Sequence, residues 1–132
     1  MSTENQEQID YWNNKAGKTW TELQERTDQL LNPFSQEAIA VAKINPSESV
    51  IDVGCGCGAT SLAISELGAE VTGVDVSIPM LNLARERSKN VSFIEADAST
   101  YQSSKKFDLV FSRFGVMFFA DPYKAFANLH SL

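Results

Sequence analysis

The sequence is short of cysteine, of histidine, of positive charge and of long apolar runs. Its two cysteines, Cys55 and Cys57, stand one residue apart, too close for an ordinary disulfide and too few for a structural zinc site. They read as small residues of a loop. Lys and Arg number 11 against 17 Asp and Glu, a net charge of −6. That balance argues against a nucleic-acid phosphate surface or an anionic membrane as the main partner, since both reward clusters of cations. A small-molecule ligand fits better. The longest apolar stretch, Val110 to Ala120, is too short to span a bilayer and carries Arg113. Met1 to Gln8 is polar and acidic with no apolar stretch behind it, unlike a secretory signal or a transit peptide. The expectation is a cytoplasmic protein. Internal repeats and low-complexity segments are absent as well.

What is present is an ordinary globular composition. A chain of 132 residues with 43% apolar and 21% charged residues makes one domain that buries about two-thirds of its unfolded surface. Trp12, Ala16, Trp20, Leu23 and Leu30 recur near helical spacing and predict one amphipathic helix over 9–31, weakened by Gly17 and ended by Pro33. Ser35 then caps a second helix reaching about Lys43. Past the turn at Asn45-Pro46 the pattern changes. Short apolar runs at 49–53, 70–75, 90–95 and 107–112 read as strands. Helices follow three of them, at 60–67, at 78–88 behind Ser77, and at 123–130 behind Asp121-Pro122. The connection 96–106 is polar and reads as a loop.

Strands alternating with helices imply parallel pairing with right-handed crossovers, an open α/β sheet. The unalternated runs Val50-Ile51 and Leu109-Val110-Phe111 mark two strands covered on both faces, hence central. The fourth strand then lacks a neighbour, because the sequence stops at Leu132. An open apolar edge invites pairing, so a homo-oligomer through that edge, or a missing continuation, is expected.

The chemistry concentrates at the strand ends. Asp52-Val53-Gly54-Cys55-Gly56-Cys57-Gly58 runs a strand into a glycine-dense turn and a helix, a place where a ligand can approach backbone without meeting a Cβ. Asp75, 21 residues past Gly54, ends the second strand, where a carboxylate can accept from both hydroxyls of a ribose. Asp97 stands just past the third strand, where it can accept from an exocyclic amine or merely solvate a loop.

In this order the segments resemble the class I S-adenosylmethionine-dependent methyltransferases, and among them the ubiquinone and menaquinone biosynthesis enzymes. The glycine turn is similar to the family's first motif, Val74-Asp75-Val76-Ser77 to the second, Ala96-Asp97-Ala98 to the third and Phe107 to Phe119 to the fourth. The resemblance implies a Rossmann-like open parallel sheet of about four strands in order 3-2-1-4. Helices would cover both faces, the C-terminal strands would be missing, and a helical lid over 1–45 would precede a cofactor-binding domain over 46–132. It implies S-adenosyl-L-methionine as cofactor, a small-molecule methyl acceptor, and a binding set of Asp52, Gly54, Cys55, Gly56, Asp75, Val76, Asp97, Ala98 and Ser112. In that set Gly54 and Gly56 cradle the methionine part, Asp75 holds the ribose, Val76 packs on adenine, Asp97 with Ala98 reads the adenine edge, and Ser112 lies near the sulfonium. Tyr11, Trp12 or Trp20 would come near the ligand if the lid closes, or pack as core if it does not. No obligatory catalytic residue follows; His130, the one histidine, reads as surface. Two rivals remain: a module that binds the cofactor or a partner chain without turnover, and a nicotinamide-dependent dehydrogenase, which would need Gly where Ala59 stands.

Overall fold

The computed structural model describes residues 4–132; the first three residues of the expected lid lie outside the described residues. In chain order the elements are α1 (Gln6–Asn13), α2 (Lys15–Glu22), α3 (Gln24–Ala42), β1 (Ser49–Val53), α4 (Ala59–Glu66), β2 (Glu70–Asp75), α5 (Ile78–Arg87), β3 (Ser92–Glu95), β4 (Leu109–Phe111), a 3-10 turn at Gly115–Met117, and α6 (Pro122–His130). The four strands form one parallel sheet in the order β3-β2-β1-β4, as the alternating pattern requires.

The period-2 geometry of β1 divides the core into two layers. Val50 faces a cluster with Ile64, Val71, Leu81, Ala84, Phe93 and Phe111, over which α3, α4 and α5 pack. Ile51 and Val53 face the opposite cluster with Val74, Ala98, Leu129 and Leu132, closed by α6 and the 96–107 loop. That loop carries no helix, as expected. Asp121 starts α6 by accepting from the Lys124 N–H at 3.1 Å, with Pro122 at the first helical position.

Two expectations need correction. The N-terminal segment is three helices, not a single helix over 9–31 followed by a second. At Asn14 the backbone leaves helical angles (φ −105°, ψ −116°), and the Asn13 and Asn14 side chains donate to the carbonyls of Ile9 and Asp10 at 2.8 and 2.6 Å. Such local bonds compete with the helical ladder. Pro33 does not end a helix but lies inside α3. The carbonyl it leaves without a donor belongs to exposed Gln29 and stays open to water. Ser35 is accordingly no cap; its hydroxyl donates to the Leu31 carbonyl. Among the described residues β4 is the last strand of the sheet, as the order 3-2-1-4 implies, with Val110 37% exposed.

Candidate functional site

The carboxyl ends of the parallel strands point to one side of the sheet, and the loops leaving β1, β2, β3 and β4 meet there. Gly54 and Gly56 take left-handed backbone angles (φ +71° and +54°) that only glycine adopts without strain. A Cβ on Gly54 would also lie 2.7 Å from the Gly115 Cα, so the loops after β1 and β4 touch through glycine. Asp75 then fixes the turn from the neighbouring strand. Its Oδ2 accepts from the Gly56 N–H at 2.8 Å and its Oδ1 from the Ser77 N–H at 2.9 Å. Desolvation raises the Asp75 carboxyl above its ordinary value, opposed by those amide donors.

Asp52 sits beneath the loop, fully buried. Its Oδ2 accepts from the Thr60 and Ser61 hydroxyls at 2.5 and 2.7 Å, which ties β1 to the start of α4, while Oδ1 has no partner. Burial pushes this carboxyl up to about 6, with the two hydroxyls and Arg113 pulling the other way. Asp97, also buried, uses Oδ1 for Ser99 and for the Asn5 amide at 3.3 Å, and keeps Oδ2 unpartnered. Burial raises both thiols, Cys55 well above its ordinary value and Cys57 to about 11, so neither is a thiolate at neutral pH. Among the described residues no three ligating side chains come together as a metal site.

The N-terminal helices roof this surface through polar contacts that spacing alone did not announce. Asn13 donates to the Val76 carbonyl at 2.7 Å and accepts from the Ile78 N–H at 2.8 Å. It thereby caps α5 from a distant part of the chain. Ser77, expected to cap α5 itself, makes no such bond; its hydroxyl donates to the Trp12 carbonyl at 2.7 Å. Gly17 is where the helices close on each other, since a Cβ there would lie 1.9 Å from the Trp12 carbonyl oxygen. Asn5 bridges Asp97 and the Ala120 N–H. Asp28 of α3 pairs with Arg87 at 2.9 Å, and Arg87 also donates to the Cys57 carbonyl at 2.7 Å.

Together these elements enclose a cavity of about 330 Å³, within the range of small-ligand sites. Gly54, Cys55, Gly56, Asp75, Val76, Asp97 and Ala98 all line it. Two residues of the expected set do not. Asp52 supports the loop from below, and Ser112 spends its hydroxyl on the Val53 carbonyl at 2.8 Å, facing the groove beside the β4 edge. Trp12 and Trp20 line the cavity, with Trp12 edge-on to both Trp20 and Phe118; Tyr11 is exposed and outside it. His130 is exposed. Lining residues that spacing missed are Asn5, Asp28 and Arg113; the paired asparagines at 13–14 were the one available sign that the lid carries polar latches.

Residues 50–132 match the methyltransferase domain family. The chain belongs to that family. Its sheet order and glycine turn are those of the class I fold, and the similarities agree. Over 98 residues this methyltransferase domain is 32% identical to trans-aconitate 2-methyltransferase of Escherichia coli (strain 55989 / EAEC), covering 73% of the chain and 39% of that protein. The domain thus spans about two-fifths of the length of the curated relatives it matches. Among solved structures it superposes on magnesium protoporphyrin IX methyltransferase from Synechocystis PCC 6803 with bound SAM at a TM-score of 0.77. The identity is 20%, over 100% of this chain and 73% of that one. A phosphoethanolamine-type N-methyltransferase of Haemonchus contortus, in complex with S-adenosylhomocysteine, gives a TM-score of 0.63 at 30% identity over 72% of this chain and 25% of that one.

Proposed function

We propose that this domain binds S-adenosylmethionine in the cavity and transfers its methyl group to a small-molecule acceptor. The observation that carries the reading is the pair Asp75 and Asp97, two carboxylates at adjacent strand ends that face one cavity beside a left-handed glycine turn. The donor and acceptor set fits the cofactor. Each Asp75 oxygen accepts one backbone bond and keeps capacity for a ribose hydroxyl. The unpartnered Asp97 Oδ2 suits the exocyclic amine of adenine, flanked by Val76 and Ala98. The Gly54-Cys55-Gly56 backbone suits the amino-acid end, with Asp52 holding the loop from below. Ser112, in place of a contact with the sulfonium, positions the Val53 carbonyl.

When bound, the cofactor supplies a methyl already activated on a sulfonium. What this chain adds is orientation and the exclusion of water, which alone account for several orders of magnitude of rate. We assign the water exclusion to the lid, described over residues 4–45, whose Trp12 packs edge-on to Trp20 and to Phe118 over the cavity. The acceptor class stays at "small molecule" here. The four motifs resemble those of the ubiquinone and menaquinone biosynthesis enzymes, whereas the curated relatives are named for trans-aconitate. We place the reaction in the cytoplasm and assign the open β4 edge to pairing with a second copy of this chain.

Calorimetric titration with S-adenosylhomocysteine, with NADH as control, tests the reading. Saturable binding of the former alone is expected. A folded chain that binds only NADH, or neither, overturns it.

A further inference from the structure

We propose that Arg113 is the carboxylate anchor of the cavity, an inference that rests on the reading above. The charged side chains among the described lining residues are Asp28, Asp75, Asp97 and Arg113. Asp28 is already occupied by Arg87 and Gln24 at 2.9 and 2.6 Å, and Asp75 by two backbone N–H groups. Arg113 is the one cation, and it is left almost unused.

A guanidinium offers five N–H donors in a planar fork. Among the described residues only one of them is engaged, NH1 to the Ser35 hydroxyl at 2.9 Å. The Arg113 Nε is buried and has no partner, and no carboxylate lies within ion-pair distance of the side chain among the described residues. An unpaired buried donor on a charged group is costly. Apart from the one that Ser35 occupies, the terminal N–H groups remain free to donate to an arriving carboxylate, the bidentate geometry that Arg matches best.

The placement agrees. Arg113 lies two residues past β4, at the carboxyl edge of the sheet where ligands of open α/β folds bind. Ser35, itself buried in α3, holds the guanidinium where α3 meets that edge. Burial works against the charge, and the carboxylates of Asp52 and Asp28 work to retain it. The bound molecules can present a carboxylate from two sources: the amino-acid end of the cofactor, or an acidic acceptor.

The test compares the wild-type chain with Arg113→Gln by calorimetry. The ligands are S-adenosylhomocysteine, 5′-methylthioadenosine, which lacks the amino-acid end, and tricarballylate or benzoate titrated into cofactor-saturated protein. A loss of about tenfold or more for S-adenosylhomocysteine, with 5′-methylthioadenosine unchanged, assigns Arg113 to the cofactor carboxylate. An unchanged S-adenosylhomocysteine affinity with a similar loss for either acid assigns it to an acidic acceptor. Affinities for all four ligands within about twofold of wild type overturn the proposal and leave the cofactor site standing. A wild-type chain that binds neither nucleoside removes both. If Arg113→Gln does not fold, Arg113→Lys, which keeps the charge and loses the fork, is read the same way with a smaller loss expected; no loss overturns the proposal.

Discussion

The backbone N–H of Gly56 donates to the Asp75 carboxylate at 2.8 Å, joining two βα connections whose strands pair side by side, Val53 opposite Val74. One side chain therefore both shapes the glycine turn and offers its remaining lone pairs to the cavity. Asp75→Ala is expected to weaken S-adenosylhomocysteine binding by about tenfold or more, at roughly 1–3 kcal/mol for a lost charged acceptor. His130→Ala, on an exposed residue, should leave it unchanged. Calorimetry on both variants checks this, and equal affinities would remove the ribose role.

Asp52 makes stability depend on pH. Its carboxyl titrates at about 6 in the folded chain against 3.8 as its ordinary value, so the folded state holds the proton more tightly than the unfolded one. The stabilisation is full below the ordinary value and is lost as pH rises through about 6, on the order of 3 kcal/mol in all. Urea unfolding at pH 4, 5, 6 and 7 should show this decline in the wild type. Asp52→Asn, which cannot ionise, should make it shallower, leaving the part due to the raised Asp75 carboxyl.

Gly17→Ala places a Cβ against the Trp12 carbonyl. Overpacking of this kind costs about 1–3 kcal/mol, and here it acts on the junction between α1, α2 and Ser77. A lower Tm and faster protease cleavage within residues 4–22 are the expected results.

Asn13→Ala removes two bonds that cross from α1 to the start of α5. A lost cap costs about 1 kcal/mol. Hydrogen exchange at the Ile78 and Met80 amides should speed up, while the β1 amides stay protected.

Sedimentation at rising concentration addresses the β4 edge. Val110 is 37% exposed, and Phe34, Val41 and Phe114 beside it are more so, so self-association is expected and Val110→Lys should abolish it. A strictly monomeric wild-type chain would remove the pairing.

The parallel sheet was legible because short apolar runs, glycine turns and helix starts are local signals, and β1, β2, α5 and α6 lie within two residues of where the sequence puts them. Gly54, Gly56, Asp75 and Asp97 were legible for the same reason: each sits at a strand end, and strand ends in this architecture converge. The misreadings have local and tertiary causes. The break at Asn14 comes from asparagine side chains that bond to carbonyls one turn back, and Pro33 stays helical because its orphaned carbonyl is on an exposed residue. Ser112 points away from the cavity because the Val53 carbonyl claims its hydroxyl. Asn5, Asn13 and Arg113 acquire their roles from partners 63 to 115 residues away, and no local pattern encodes such pairs.

The latches at Asn5 and Asn13 also bear on how the molecule is made. Synthesis runs from the N-terminus, so both residues leave the ribosome well before their partners at Val76, Ile78, Asp97 and Ala120, which lie 63 to 115 residues further on. The roof must wait, exposed, until the floor exists. Contacts of such long sequence separation are slow to form, so the ligand cavity closes later than the local helices and turns around it.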